Sequence, residues 1–214
     1  MITNQIIEQN NIAVAVMKTG NYSRAVSVFS AALKAHQQQL SMVLLGTNDS
    51  SDGASESSID NCILESKRYY AFEVEGNEQY MYSQGIFLLP DVKSKCIPSV
   101  IIFNLALAYN LFALQSTQRS HLLEKSIRLY ELAYNSQREA SAANALFTLA
   151  TLNNLGLIHK ALGQSEMSSQ CFDHLLSVVM FLVDSKTCHH LDYIDGFLRN
   201  ITMAGSKVFP AAAA

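Results

Sequence analysis

The chain has 214 residues; 49% are apolar and only 15% charged, with a formal net charge of −3 and a pI of about 6.0. That length suits one domain or one continuous stack with a sizeable core. The low charged fraction requires either a large interior or apolar surface kept for a partner. With no basic stripe and no Trp, electrostatic binding to nucleic acid is not expected.

Taken in chain order, residues 4–18 carry Ile6, Ile7, Ile12, Val14, Ala15 and Val16, a pattern that predicts a helix packed on more than one side. Gly20 breaks it and Asn21 is placed to cap the next helix, whose stripe runs through Tyr22, Ala25, Val26, Phe29, Ala32 and Leu33. Residues 4–44 thus form a first hairpin. Residues 46–60 hold five Ser, two Gly, four acidic residues and a single Ile. They have too little apolar surface to offset the entropy of ordering, and predict an acidic flexible loop. Residues 69–74 (YYAFEV) and 79–89 (QYMYSQGIFLL) flank the turn signal EGNE, which predicts a β-hairpin insert over 69–89, ended by Pro90.

A helix restarts after Pro98, apolar on nearly every face from Ile101 to Leu114. After the connector QSTQRS, a second helix buries Leu123, Ile127, Tyr130 and Tyr134, giving a second hairpin over 98–136. A third spans 140–184, broken at Gly163, and a last helix over 189–204 runs through Leu191, Ile194, Phe197, Leu198 and Ile201. The fold class expected is all-α, with about seven helices and one β-hairpin.

No cationic start followed by an apolar run opens the chain, and the stretch 101–114 is shorter than a membrane span. Cys62, Cys96, Cys171 and Cys188 form no CxxC and no zinc spacing. Reduced thiols in a cytoplasmic or nuclear protein are the simplest reading, with no membrane partner. Without a secretory signal, the glycosylation-type triplets at Asn21, Asn48 and Asn200 are chance matches.

One pattern recurs three times. Leu152, Leu155, Gly156, His159, Gly163, Ser168, Phe172 and Leu175 mark one hairpin; Gly20, Tyr22, Ala25, Phe29 and Ala32 another; Asn104, Ala106, Tyr109, Ser126, Tyr130 and Ala133 a third, with an insertion between its helices. These hairpins resemble tetratricopeptide repeats in degenerate form. The spacing departs from the family's regular 34 residues, and both its usual Trp and its closing Pro are missing. The resemblance implies a superhelix of α-α hairpins, with 189–204 capping its end, and a concave groove lined by the first helix of each hairpin.

Aligning the hairpins puts Asn11, Asn104 and Asn154 in one register, with Asn10, Val14 and Met17, then Phe103, Leu107 and Asn110, then Asn153, Leu157 and Lys160 beside them. In related domains such asparagines bond the backbone of an extended peptide, because an amide offers donors and an acceptor together. They serve equally well to satisfy backbone groups inside the fold. Only Lys160 is basic in this set, which disfavours an acidic C-terminal tail as ligand. The chain is therefore expected to be a non-enzymatic protein-interaction module or adaptor for a protein or peptide, with a structural subunit of a larger assembly as the alternative and an enzyme without a recognisable motif ranked behind both. Asn104→Ala and Asn154→Ala are expected to abolish capture while leaving thermal stability nearly intact.

The catalytic and metal readings are thin. Cys188, His189 and His190 are the one local cluster with ligand chemistry, but neighbouring helical residues diverge by about 100°. His159 occupies an aromatic packing position, and Asp192 and Asp195 suit a solvated face. No nucleophile elbow, P-loop or dinucleotide turn occurs, so no cofactor, metal or catalytic residue is assigned.

Overall fold

A computed structural model describes residues 2–45, 59–68, 79–137, 144–184 and 194–205. Among these the protein is all-α, with eight helices: α1 (Ile2–Lys18), α2 (Tyr22–Leu45), α3 (Ile59–Arg68), α4 (Ile97–Gln115), α5 (Arg119–Ser136), α6 (Ala145–Ala161), α7 (Ser165–Asp184) and α8 (Asp195–Gly205). The chain divides into two units. Unit 1 comprises Met1–Ala71 and Ser83–Asn144; unit 2 comprises Phe72–Tyr82 and Ala145–Ala214.

In unit 1, α1 pairs with α2 and α4 with α5, and both helices of the first pair pack on α4. Gly20 ends α1 with φ +79°, a left-handed conformation that glycine adopts without a Cβ penalty. Asn21 caps α2 by accepting the Arg24 N–H at 3.2 Å. Apolar on every face, α4 buries Ile101, Phe103, Ala106 and Leu107, and the Phe103 ring meets Tyr130 of α5 edge-on at 5.3 Å. With the 3₁₀ turn Ser94–Cys96, it is longer than the apolar run 101–114. Among the described residues it is the one helix long and apolar enough to cross a membrane, yet 72% of that span is buried inside the protein. It is the core helix of its unit.

In unit 2, α6 pairs with α7, and α8 packs on both. Gly163 closes α6 at φ +74°; its N–H donates to Lys160 O and that of Gln164 to His159 O, a glycine-terminated helix end. Phe147, Leu149, Leu155, Phe172, Leu175 and Phe197 fill the core.

The second and third hairpins share one internal bond. Ser126 Oγ donates to Ala106 O at 2.8 Å, and Ser168 Oγ donates to Gly156 O at 2.9 Å. The carbonyl lies two residues after Asn104 in one case and Asn154 in the other. The expected insertion in the second hairpin is not in its connector: 116–118 has three residues, as do 19–21 and 162–164. Its eight extra residues instead lengthen α4 and α5 by about one turn each.

Two further expectations are corrected. Helix α3, whose Ile59, Cys62, Ile63 and Ser66 are buried, was not anticipated; it takes in the end of the predicted acidic loop, the rest of which (46–58) lies outside the described residues. Residues 79–89 form no β-strand; among the described residues, side chains bond the backbone of Tyr80, Tyr82, Ile86, Phe87 and Leu88. The other predicted arm, 69–74, lies outside the described residues. So do 138–143 and 185–193, and the cap predicted over 189–204 is described as α8 from Asp195.

Candidate functional site

An extended chain buried among helices has backbone donors and acceptors that must find partners. For Tyr80, Tyr82, Ile86 and Leu88 those partners are asparagines. In unit 1, Ile86 N–H donates to Asn104 Oδ1 at 2.8 Å, and Asn104 Nδ2 donates back to Ile86 O at 2.8 Å. Leu88 and Asn11 exchange the same pair, at 2.8 Å and 3.0 Å. Asn10 ties the two together. Its Nδ2 donates to Ile86 O and to Asn11 Oδ1, each at 3.1 Å, and its Oδ1 accepts from Asn104 Nδ2 at 2.9 Å.

Unit 2 repeats this arrangement. Tyr82 N–H donates to Asn154 Oδ1 at 3.0 Å, and Asn154 Nδ2 returns a bond to Tyr82 O at 2.8 Å. Tyr80 N–H donates to Asn200 Oδ1 at 2.9 Å, and Asn200 Nδ2 donates to Tyr80 O. Asn153 takes the linking role: its Nδ2 donates to Tyr80 O and to Asn154 Oδ1, and its Oδ1 accepts from Asn200 Nδ2 at 2.6 Å. Each unit thus has two asparagines on different helices that each hold one residue by both backbone groups. A third asparagine, immediately preceding one of these holders in sequence, joins it to the other. Within each unit the two residues held are two apart, Tyr80 and Tyr82 in unit 2 and Ile86 and Leu88 in unit 1, as expected when one edge of an extended chain is read at period two.

The opposite edge in unit 1 faces α3. Phe87 N–H donates to Ser66 Oγ at 2.8 Å, and Ser66 Oγ donates to Cys62 O. One turn earlier on α3, the Leu89 backbone bonds the Cys62 thiol. Burial pushes that thiol up to about 11, and the Leu89 bond only partly opposes this.

Side chains complete the enclosure. Tyr82, Ile86 and Leu88 are buried. Tyr80 meets Phe197 edge-on at 5.3 Å, and its ring lies where a Cβ on Gly196 would be, 2.5 Å from Cγ. Burial raises the Tyr80 phenol above its ordinary 10.0. At Gly85 a Cβ would come within 2.5 Å of Met17 Cε and 2.9 Å of Val14 Cγ1. These are the α1 side chains that the register had placed beside Asn10 and Asn11.

Of the ten residues expected to bind a partner, the structure brings Asn10, Asn11, Asn104, Asn153 and Asn154 onto the chain's own segment. Phe103 and Leu107 lie in the core of unit 1, and Asn110 is buried further along α4. On α6, Leu157 is half-buried and Lys160 exposed. Asn200 was missed as a holder and noted only as a triplet. The available signal was an amide on the face of α8 that also carries Ile194 and Phe197. Asn200 is buried and bonded, so it is closed to modification in the folded chain. Among the described residues no group of His, Cys, Asp or Glu is arranged to hold a metal.

Comparison with protein-family models, with curated proteins and with solved structures finds no match.

Proposed function

We propose that this chain is a non-enzymatic protein-interaction module. In this reading each unit holds extended peptide backbone at its asparagines, as a tetratricopeptide-like groove would, and the chain's own segment is the resident ligand: Tyr80 and Tyr82 in unit 2, Ile86 and Leu88 in unit 1. The observation behind it is the four asparagines that each bond both backbone groups of one residue. Such an amide reads main chain rather than side chain, so the same atoms would serve a segment arriving from a partner protein. Nucleic acid and membrane play no part in this reading.

The test uses a labelled peptide spanning 79–89 with solubilising lysines at both ends. The full chain carrying Ile86→Pro or Tyr82→Pro lacks the N–H that Asn104 or Asn154 accepts, which loosens its own segment. By fluorescence anisotropy the loosened chain should capture the peptide, and adding Asn104→Ala or Asn154→Ala in the same unit should abolish capture. A loosened chain that keeps its helical circular dichroism yet captures nothing overturns the proposal.

One observation favours the second reading, a structural subunit. Leu176, Met180 and Val183 of α7 form an exposed stripe at i, i+4 and i+7, with Phe181 beside it. Light scattering after size exclusion separates the two readings: a subunit should self-associate or aggregate when isolated, and an adaptor should elute as a defined small species.

A further inference from the structure

Resting on the interaction-module reading, we propose that the asparagine site of unit 1 takes an uncharged extended segment of defined pattern: any, glycine, aliphatic, any, aliphatic. The asparagines supply affinity for any backbone. Selection comes from what surrounds the held residues.

Two features carry this. First, the glycine position is closed by packing. A ligand Cβ at Gly85 would fall 2.5 Å from Met17 Cε and 2.9 Å from Val14 Cγ1. The Met17 terminus can swing aside, but the Val14 branch has no such freedom. Second, the described side chains that bond the segment in unit 1 are neutral: Asn10, Asn11, Asn104, Ser66 and the Cys62 thiol. The segment itself has no charged residue. A ligand carboxylate or ammonium at the positions of Ile86 or Leu88, both buried, would lose its hydration and face these neutral groups.

The experiment measures binding of four peptides to the full chain carrying Ile86→Pro. They are the parent 79–89 sequence and the same peptide with Gly85→Ala, Leu88→Asp or Gln84→Ala. The pattern predicts losses of about tenfold or more for Gly85→Ala and Leu88→Asp, and a change within about twofold for the half-buried Gln84 position. If Gly85→Ala and Leu88→Asp bind like the parent, the pattern falls while the groove reading stands. If no peptide binds a folded chain, both fall. Should Ile86→Pro prevent folding, Leu88→Pro replaces it, since the Leu88 N–H is the one Asn11 accepts.

Discussion

Asn104 and Ile86 hold each other by two hydrogen bonds of 2.8 Å, one in each direction, across 18 residues of sequence and in a fully buried setting. The side chain placed by register to meet a partner peptide therefore meets its own chain, and this reverses one expectation. With Asn104→Ala, Ile86 N–H and Asn10 Oδ1 lose their Asn104 partner and Ile86 O keeps only Asn10. Stability should fall by about 2–6 kcal/mol, at about 1–3 kcal/mol for each of the two orphaned buried groups. Asn104→Asp should be no milder, because it keeps the acceptor, loses the donor and buries a carboxylate. Urea midpoints of both variants check this; a drop under about 0.5 kcal/mol would mean the segment is not held.

Both edges of the segment near residue 87 are bonded, by different helices. Hydrogen exchange followed by NMR should find the amides of Ile86, Phe87 and Leu88 all protected. Ser66→Ala removes the Oγ that accepts the Phe87 N–H, together with its bond to Cys62 O within α3, and leaves the asparagine bonds of Ile86 and Leu88 in place. It should speed exchange at Phe87 at least tenfold more than at Ile86 and Leu88; equal acceleration at all three would show that α3 merely covers the segment.

Gly156 lies under Phe172, whose ring carbons would be 2.8–3.0 Å from a Cβ added there. Gly156→Ala should cost about 1–3 kcal/mol by overpacking, despite the better helix propensity of alanine. Combined with Phe172→Leu, it should lose less than the sum of the two single changes. Simple additivity in thermal unfolding would rule out the contact as the cause.

Cys62 is buried and its thiol is pushed up to about 11, while Cys171 is only half-buried. Brief alkylation of the native protein at pH 8, read by peptide mass mapping, should label Cys171 well before Cys62, since the thiolate is the reactive form. Denaturant should remove the difference.

His36 is buried on α2, and desolvation holds its imidazole below the ordinary 6.5. Above pH 6.5 the ring is neutral in both states and no penalty arises. As pH falls through 6.5 the unfolded chain takes up a proton that the folded chain resists, so stability declines until the lowered folded value is passed. The slope stays under about 1.4 kcal/mol per pH unit. His36→Gln should flatten the fall in urea midpoint between pH 7 and 5.5; an unchanged profile assigns the fall elsewhere.

The hairpins and the asparagine register were legible because both are local or periodic properties. Gly20 and Gly163 end helices by their own conformational freedom, and an apolar stripe repeats whatever lies opposite. Asn10, Asn11, Asn104, Asn153 and Asn154 stood out because amides on apolar helix faces demand a partner. Helix α3 was not read, since its ten residues follow a polar, serine-rich stretch and carry only a short apolar stripe. Residues 79–89 were read as a β-hairpin strand, and they form no strand. Alternation of apolar residues reports an extended backbone but not what bonds its edges.

The sequence by itself therefore determined the helices, their turns and the presence of unsatisfied amides on them, each a consequence of residues within a few positions of one another. Only the tertiary structure decided who satisfies those amides. That choice joins Tyr80 to Asn200 and Leu88 to Asn11, 120 and 77 residues apart, and a hydrogen bond of that range leaves no periodic mark in the chain.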